Sequence, residues 1–193
     1  MQNFIKSKLQ TSIDLKTKVM NDVTLISTVE KVANQIVTCY QNGNKVLWCG
    51  NGGSAADSQH LAAELSGRFY YDRAPLFSEA LHVNTSYITA VANDYSYDEI
   101  YARLVRAMCK KGDILIGLST SGNSGNVIKA FEACRELGVI TVGFTGETGG
   151  KMKDLSDYLV NIPSKDTPRI QECHMILGHT LCEIAEIELF PKK

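Results

Sequence analysis

A run of hydroxyl side chains is the part of this sequence best suited to binding an anion. Residues 119–124 read Ser-Thr-Ser-Gly-Asn-Ser and lie between an apolar segment and a helical pattern. The start of a helix offers free N–H groups and a positive partial charge, and hydroxyls add further donors. A helix-capping serine would explain Ser124 alone but not four hydroxyls. We therefore predict that Ser119, Thr120, Ser121 and Ser124 bind a phosphorylated small molecule. The P-loop pattern G-x-x-x-x-G-K-[ST] is absent, which excludes that type of nucleotide site.

A second loop of the same kind follows an earlier apolar segment. Residues 49–54 read Cys-Gly-Asn-Gly-Gly-Ser. Glycines alone are as typical of a tight strand-to-helix turn as of a ligand contact. Parallel sheets bind ligands beyond the carboxyl ends of their strands, and the first loop is expected at the same edge. We therefore favour ligand contact at Asn51, Gly52, Gly53 and Ser54.

Side chains that can carry protons lie on the helical pattern after this second loop. His60 and Glu64 are four residues apart and therefore share one helical face. Their neighbours are apolar, and a carboxylate in such surroundings needs a partner or a chemical role. Spacing alone nevertheless favours an ordinary exposed pair.

The C-terminal helical pattern supplies a second set of candidates. Glu172 precedes His179 by seven residues and Gln171 precedes it by eight, so Glu172 aligns better with the histidine. Geometry alone therefore nominates Glu172 as the partner of His179. We interpret His174 as a structural or subunit-interface histidine.

Short apolar runs alternate with helical patterns along most of the chain. Because these runs are continuous rather than alternating, they predict an α/β fold with a parallel, doubly wound sheet covered on both faces. The predicted strands are 45–49, 78–83, 113–119, 139–145 and 158–163. The predicted helices are 55–65, 85–93, 98–110, 124–137, 151–155 and 169–189.

The N-terminal residues predict a helical hairpin. Apolar residues recur at helical spacing up to residue 41, and Asn42 with Gly43 is typical of a helix end. We expect residues 1–43 to pack on the rest of the molecule and, in an oligomer, on another subunit. No composition break or repeat interrupts the chain, so we predict one domain over residues 1–193.

Composition narrows the functional class. Lys and Arg number 20 against 21 Asp and Glu, and no basic run occurs, which argues against nucleic-acid binding. The six cysteines form no C-x-x-C pair. We therefore interpret them as small buried side chains in a reducing compartment. The sequence has no signal-peptide core and no apolar stretch of roughly 18 residues. We therefore expect a cytoplasmic protein with no membrane partner.

Taken together, the two loops and several further segments resemble the phosphoheptose isomerase family of sugar isomerase (SIS) domains. The Ser-Thr-Ser-Gly-Asn-Ser run alone marks SIS domains in general, whereas the full ordered set is specific, and the resemblance covers about residues 1–190. The further segments are His60–Arg68, Ala92–Asp94, Thr145–Gly146, Gly149–Met152 and Arg169–Glu172.

This resemblance implies a fold and an activity. The fold is a three-layer α/β/α sandwich around a five-stranded parallel sheet, assembled as a homotetramer. The activity is the conversion of D-sedoheptulose 7-phosphate to D-glycero-D-manno-heptose 7-phosphate through an enediol. That reaction would be the first step of ADP- or GDP-heptose synthesis for a surface polysaccharide.

The resemblance also implies residue roles. Glu64 falls on the catalytic base and His179 on the acid/base, and Glu64 and Gln171 contact the substrate. Asn93 and Asp94 lie at the sugar hydroxyls. Some members bind zinc through residues that match His60, Glu64, Gln171 and His179, where the ion either polarises the carbonyl or organises the site.

Three points stay open in the sequence. Arg68 either meets phosphate or pairs with Asp72. Pro168 stands where some relatives carry an acid, so Asp166 or Thr167 either contacts substrate or caps the last helix. The alternative function is that of a non-catalytic SIS protein that binds the replication initiator. Residues 42–45 and 188–191 resemble segments of such an initiator-binding protein. Such proteins lack the acid and the imidazole found here at Glu64 and His179. A further alternative is a regulator that senses a sugar phosphate, but such proteins often carry a DNA-binding domain, for which residues 1–41 are too short and too evenly charged.

Overall fold

Five short parallel strands form the centre of the computed structural model, which describes residues 1–192. They lie in the order β2-β1-β3-β4-β5, and every neighbouring pair is parallel. The predicted parallel sheet is therefore confirmed. The strands are β1 Val46–Gly50, β2 Ser78–Ala80, β3 Ile114–Ser119, β4 Ile140–Thr145 and β5 Tyr158–Asn161. β2 is shorter than predicted because the chain turns at residues 81–82 toward the next helix.

Seven α-helices accompany the sheet within the described residues. They are α1 Gln2–Asn21, α2 Val23–Gln41, α3 Gly53–Ser66, α4 Thr85–Asp94, α5 Ile100–Met108, α6 Gly125–Leu137 and α7 Thr167–Leu189. Two predicted helices need correction. The one expected at 98–110 starts as a 3₁₀ turn, Tyr97–Glu99, and ends at Met108, and the one expected at 151–155 is a 3₁₀ helix, Gly150–Leu155.

Each face of the sheet carries its own apolar core. Side chains alternate along a strand, so Val46 and Trp48 of β1 join the cluster under α1, α2, α3 and α7, whereas Leu47 joins the cluster under α5 and α6. Both faces are thus buried, which explains why the strands read as continuous apolar runs. The three-layer α/β/α sandwich expected from the sequence is confirmed.

The N-terminal hairpin packs on the first of these faces. Asp22 separates its two helices, and its carboxylate caps α2 by accepting a hydrogen bond from the Leu25 amide at 3.0 Å. Leu15 and Val19 of α1 are buried in the core shared with α7. Farther toward the N-terminus, apolar side chains of α1 including Phe4 and Leu9 are exposed. No helix in the described part of the chain has both the length and the apolar character that crossing a bilayer requires.

His174 of α7 lies in the core beneath β4. Its Nε2 is 3.1 Å from the carbonyl oxygen of Thr145, and its ring meets Phe144 edge-on with centroids 5.4 Å apart. Burial lowers the pKa of this imidazole to about 4, although the bond to Thr145 opposes the shift. The neutral ring is therefore part of the folded core.

The buried histidine gives a testable pH dependence of stability. The unfolded imidazole has its ordinary pKa of about 6.5, so the unfolded chain binds the proton more strongly than the folded chain. The free energy of unfolding should fall as the pH drops from about 6.5 to 4, by at most about 1.4 kcal/mol per pH unit from this group. Urea titrations of the wild type and His174→Asn across this range should show a shallower slope in the variant. Equal slopes would contradict this assignment.

Candidate active site

The two polar loops meet where the strand order reverses. β1 lies between β2 and β3. The connection after β1 leads to one side of the sheet, toward β2, and the connection after β3 leads to the other side, toward β4, which opens a crevice at the carboxyl ends of β1 and β3. The side-chain amides of Asn51 and Asn126 exchange two hydrogen bonds of 2.9 Å across this crevice. The structure therefore brings the 49–54 and 119–124 loops together at one edge.

Three serine hydroxyls converge within the loop after β3. The Ser119 hydroxyl lies 2.9 Å from that of Ser124 and 3.5 Å from that of Ser121. Ser124 occupies the N-cap position of α6, but its side chain makes no capping bond to the helix. Simple helix capping therefore does not account for this loop. The amides of Gly125 and Asn126, the first two of α6, remain available to an anion, whereas that of Val127 donates to Oδ1 of Asn126 at 3.0 Å.

The segment after β4 supports this loop from behind. The amide of Gly146 donates to the carbonyl of Thr120 at 2.9 Å, and the amide of Met152 donates to the carbonyl of Gly122 at 3.0 Å. Gly122 has a φ of +66°, and a Cβ there would overlap the carbonyl oxygen of Gly149. Only glycine fits such a close crossing of two backbones.

The start of α3 lies against α7. A Cβ on Gly53 would come within 2.6 Å of Nε2 of Gln171, so the glycine makes room for the amide side chain. The same Nε2 is 3.5 Å from the hydroxyl oxygen of Ser54. Gln171 thus connects α7 to the first turn of α3.

About two helical turns farther along, His60, Glu64 and His179 form a compact cluster. Nε2 of His60 lies 2.9 Å from Nε2 of His179 and 3.1 Å from Oε1 of Glu64. The His60 side chain is 51% exposed and that of Glu64 is 25% exposed, so the carboxylate is partly rather than fully buried. Burial and the neighbouring His60 lower the pKa of His179, and Glu64 partly offsets them. His179 is therefore neutral near pH 7 and can accept a proton or a metal ion.

The helical-spacing argument for Glu172 is wrong. Ser12 of α1 donates its hydroxyl to this carboxylate at 2.7 Å, and Arg169 forms an ion pair with it at 2.8 Å. Glu172 is therefore engaged with α1 and its own helix, whereas the partners of His179 come from α3. The spacing of residues along α7 does not show which side of this helix packs against α3 and which side packs against α1.

Other predicted residues within the described part of the chain form no hydrogen bond or ion pair with this cluster. Asn93 and Asp94 are exposed at the end of α4, and Asn93 donates a hydrogen bond to Asp94 at 2.9 Å. Arg68 is exposed and forms no ion pair with Asp72 or any other described residue. Asp166 holds the N-cap position of α7 but makes no side-chain capping bond.

Sequence reasoning missed several polar residues around the site. Tyr97 donates its hydroxyl to Oδ1 of Asn51 at 3.1 Å, and Asn126 completes that amide pair. One carboxylate oxygen of Asp57 is buried without a partner among the described residues, and burial raises the pKa of this group against the opposing effect of His60. A sequence signal existed for Asn126, a polar residue among the apolar positions of α6, whereas no such pattern marked Asp57, whose neighbours on the helix include Ser54 and His60.

The cluster of two imidazoles and a carboxylate fits a metal ion. Donor atoms of His60, Glu64 and His179 all lie within 4.8 Å of one another. Nitrogen ligands of a tetrahedral zinc at about 2.1 Å stand about 3.4 Å apart, close to the spacing observed here. The arrangement can thus hold a divalent ion or move protons.

Comparison with known proteins shows which family shares this fold. The SIS domain model matches residues 13–146. A phosphoheptose isomerase of Aneurinibacillus thermoaerophilus is 51% identical over the whole chain and 98% of its own length. Among solved structures, the phosphoheptose isomerase GmhA of Neisseria gonorrhoeae has a TM-score of 0.90 and 39% identity, covering 96% of this chain and 98% of that one. A phosphoheptose isomerase from Francisella tularensis has a TM-score of 0.91 and 34% identity, covering 95% and 97%.

The chain belongs to the phosphoheptose isomerase family. The SIS domain model ends at residue 146, before α7, whereas the full-length phosphoheptose isomerase relatives also cover the helix that carries Gln171 and His179. Phosphoheptose isomerases are sugar-phosphate isomerases, a class of intramolecular oxidoreductase. The resemblance seen in the sequence motifs is confirmed.

The close backbone contact between the 119–124 loop and residues 149–150 predicts that alanine substitutions at two glycines will lower stability by different amounts. Gly122 and Gly43 both have positive φ, at +66° and +70°, but no atom lies within 4 Å of a Cβ on Gly43. Gly43→Ala should cost only the backbone strain of about 1–2 kcal/mol. Gly122→Ala should cost about 1–3 kcal/mol more because it also forces apart the two loop backbones. Chemical denaturation of both variants measures the difference in the free energy of unfolding. Equal losses would show that the 119–124 loop and residues 149–150 do not approach as closely as described.

Proposed function

We propose that this chain isomerises D-sedoheptulose 7-phosphate to D-glycero-D-manno-heptose 7-phosphate. The observation that carries the proposal is the cluster in which Glu64 of α3 and His179 of α7 lie on either side of His60. Residues far apart in the sequence thus supply a carboxylate and a neutral imidazole to one place, on the helix that begins at the first polar loop. The full-length relatives named phosphoheptose isomerase support the choice of a seven-carbon sugar.

The proposed reaction moves one hydrogen between adjacent carbons. Glu64 takes a proton from C1 of the ketose, giving an enediol, and returns it to C2. His179 gives a proton to the oxygen on C2 and accepts the proton that leaves the hydroxyl on C1. The sum creates an aldehyde at C1 and a hydroxyl at C2 with no net change in protons. Each transfer needs the acid or base within hydrogen-bond reach of the sugar.

The polar loops would hold the substrate for these transfers. We assign the phosphate to Ser119, Thr120, Ser121 and Ser124 with the first amides of α6. The loop of Asn51, Gly52, Gly53 and Ser54 and the amide of Gln171 would contact the sugar chain. Asn93 and Asp94, as exposed polar groups at the end of α4, are assigned to the distal sugar hydroxyls.

The proposed cofactor is one zinc ion per subunit, held by His60, Glu64, Gln171 and His179. Bound there, zinc would either polarise the sugar carbonyl as a Lewis acid, which requires one of the four side chains to yield its place to the substrate, or fix the geometry of the site. The side chains already supply two imidazole nitrogens and a carboxylate oxygen within reach of one ion. Gln171 would add its amide oxygen.

We also propose that the 193 residues form one SIS domain and that four copies assemble. Exposed apolar side chains near the start of α1, among them Phe4 and Leu9, are suited to burial against another subunit. The reaction would open ADP- or GDP-heptose synthesis for a surface polysaccharide, and the cytoplasmic location stays a prediction. A non-catalytic partner of the replication initiator is disfavoured because Glu64 and His179 are both present and clustered.

Replacing the proposed base tests the mechanism. Glu64→Gln keeps the shape of the side chain but cannot accept a proton, so kcat should fall about 10²–10⁴-fold while the substrate Kd changes little. Activity, substrate binding and metal content should be measured at saturating zinc. Glu172→Gln is the matched control, because this carboxylate on α7 faces α1, and it should retain near-normal kcat. Full activity in Glu64→Gln would remove Glu64 from the mechanism.

The choice of sugar and the need for metal are tested together. Purified protein should be assayed with C5, C6 and C7 ketose phosphates, before and after treatment with a chelator and after zinc is restored. We expect the highest kcat/KM for the C7 ketose, loss of that activity with the chelator and recovery with zinc. A preference for a shorter sugar would overturn the substrate assignment, and undiminished activity without metal would overturn the role of zinc.

A further inference from the structure

A fully buried ion pair lies just behind the proposed catalytic cluster. Nε of Arg73 is 3.0 Å from Oε2 of Glu186, and each side chain is 1% exposed. Arg73 follows α3 in the sequence, whereas Glu186 is on α7, two helical turns beyond His179. The pair therefore connects the two helices that carry the cluster.

Arg73 holds the end of α3. Its NH2 group donates to the carbonyl oxygen of Glu64 at 2.9 Å, and NH1 donates to those of Leu65 at 2.9 Å and Gly67 at 3.2 Å. Glu64 and Leu65 lie in the last turn of α3, where the carbonyls have no partner farther along the helix, and Gly67 is the residue that caps it. The guanidinium thus binds the backbone of Glu64 itself.

Glu186 holds the segment that follows α3. Its two carboxylate oxygens accept hydrogen bonds from the amides of Phe69 at 2.9 Å and Tyr70 at 2.8 Å. The Phe69 ring in turn contacts the ring of His179, with centroids 5.8 Å apart. Burial tends to raise the pKa of Glu186, but these amides and Arg73 together hold it below the ordinary value, so the carboxylate is ionised.

We propose that Arg73 and Glu186 are positioning residues that fix Glu64 against His179. Arg73 sets the end of α3 at Glu64, and Glu186 sets Phe69, which limits the orientation of the His179 ring. The proposal rests on the isomerase function assigned above for its catalytic consequence. Its geometric part concerns the His60, Glu64 and His179 cluster whatever reaction that cluster performs.

The energetics favour such a role over simple stabilisation. Removing two charges from water costs about as much as their attraction returns, so a buried ion pair contributes little net stability. The pair favours one relative position of α3 and α7 over slightly shifted ones, because a small shift would leave buried charges unpaired. Residues that orient metal ligands from behind typically change metal affinity or activity about 10–100-fold when altered.

Asp113 provides a matched control at the opposite end of the sheet. Like Glu186 it is a buried carboxylate that accepts two backbone amides, of Lys45 at 3.1 Å and Lys110 at 2.8 Å, and a cationic side chain, Nζ of Lys45 at 2.6 Å. It lies just before β3, away from the carboxyl ends where the site forms. Asp113→Asn and Glu186→Gln therefore make the same chemical change at two buried carboxylates, one remote from the cluster and one next to it.

The experiment compares these two variants with the wild type well below the unfolding midpoint of each. The cobalt(II) dissociation constant of the metal-free protein, and kcat and KM with sedoheptulose 7-phosphate, should be measured. We expect Glu186→Gln to weaken cobalt binding about 10–100-fold and to lower kcat more than it raises KM. Asp113→Asn should leave all three within about twofold. If Glu186→Gln does not fold, Arg73→Lys takes its place, since a lysine cannot reach the carbonyls of Glu64, Leu65 and Gly67 at once.

The outcomes separate this proposal from the proposed function. Cobalt affinity and kcat within about twofold of wild type in the position 186 or 73 variant, or an equal loss in Asp113→Asn, would overturn the positioning role. A wild-type protein that does not isomerise the sugar would overturn the function. A selective loss of cobalt affinity in Glu186→Gln would still support the positioning of the cluster in that case.

Discussion

The close contact between α3 and α7 is the constraint on which the site depends. These helices are about a hundred residues apart in the sequence, and their side chains meet only because glycines leave room. A Cβ on Gly178 would overlap the Leu61 side chain, and one on Gly53 would press on the Gln171 amide. Helices usually pack at about 8–10 Å, with the distance set by the residues at the contact. Glycines at two points along this contact leave room for the Leu61 and Gln171 side chains, and His60 and Glu64 lie within reach of His179.

The rest of the molecule keeps phosphate binding and the proposed proton transfer in different places. The loops after β1 and β3 offer amides and hydroxyls to an anion, without a lysine or arginine among residues 49–54 and 119–124. The side chains proposed to move protons and to bind zinc, His60, Glu64 and His179, meet about two helical turns farther along α3 and α7.

Features set by local chemistry could be predicted from the sequence, and those set by distant contacts could not. Continuous apolar runs gave the strands, because burial on both faces demands them, and hydroxyl-rich turns marked the edge where the loops meet. Helical spacing failed for Glu172 because it does not reveal that α1 covers that side of α7. The Arg73–Glu186 pair joins positions more than a hundred residues apart, and no local pattern pointed to it. Asn126 was detectable only as a polar residue among apolar positions of α6.

The most direct test of the central claim is a crystal structure of Glu64→Gln with sedoheptulose 7-phosphate bound. The account predicts phosphate oxygens within hydrogen-bond distance of the hydroxyls at 119–124, and the position 64 side chain about 3–3.5 Å from C1 or C2 of the sugar in its own or a neighbouring subunit. A phosphate bound elsewhere, or reacting carbons remote from position 64 in every subunit, would contradict it.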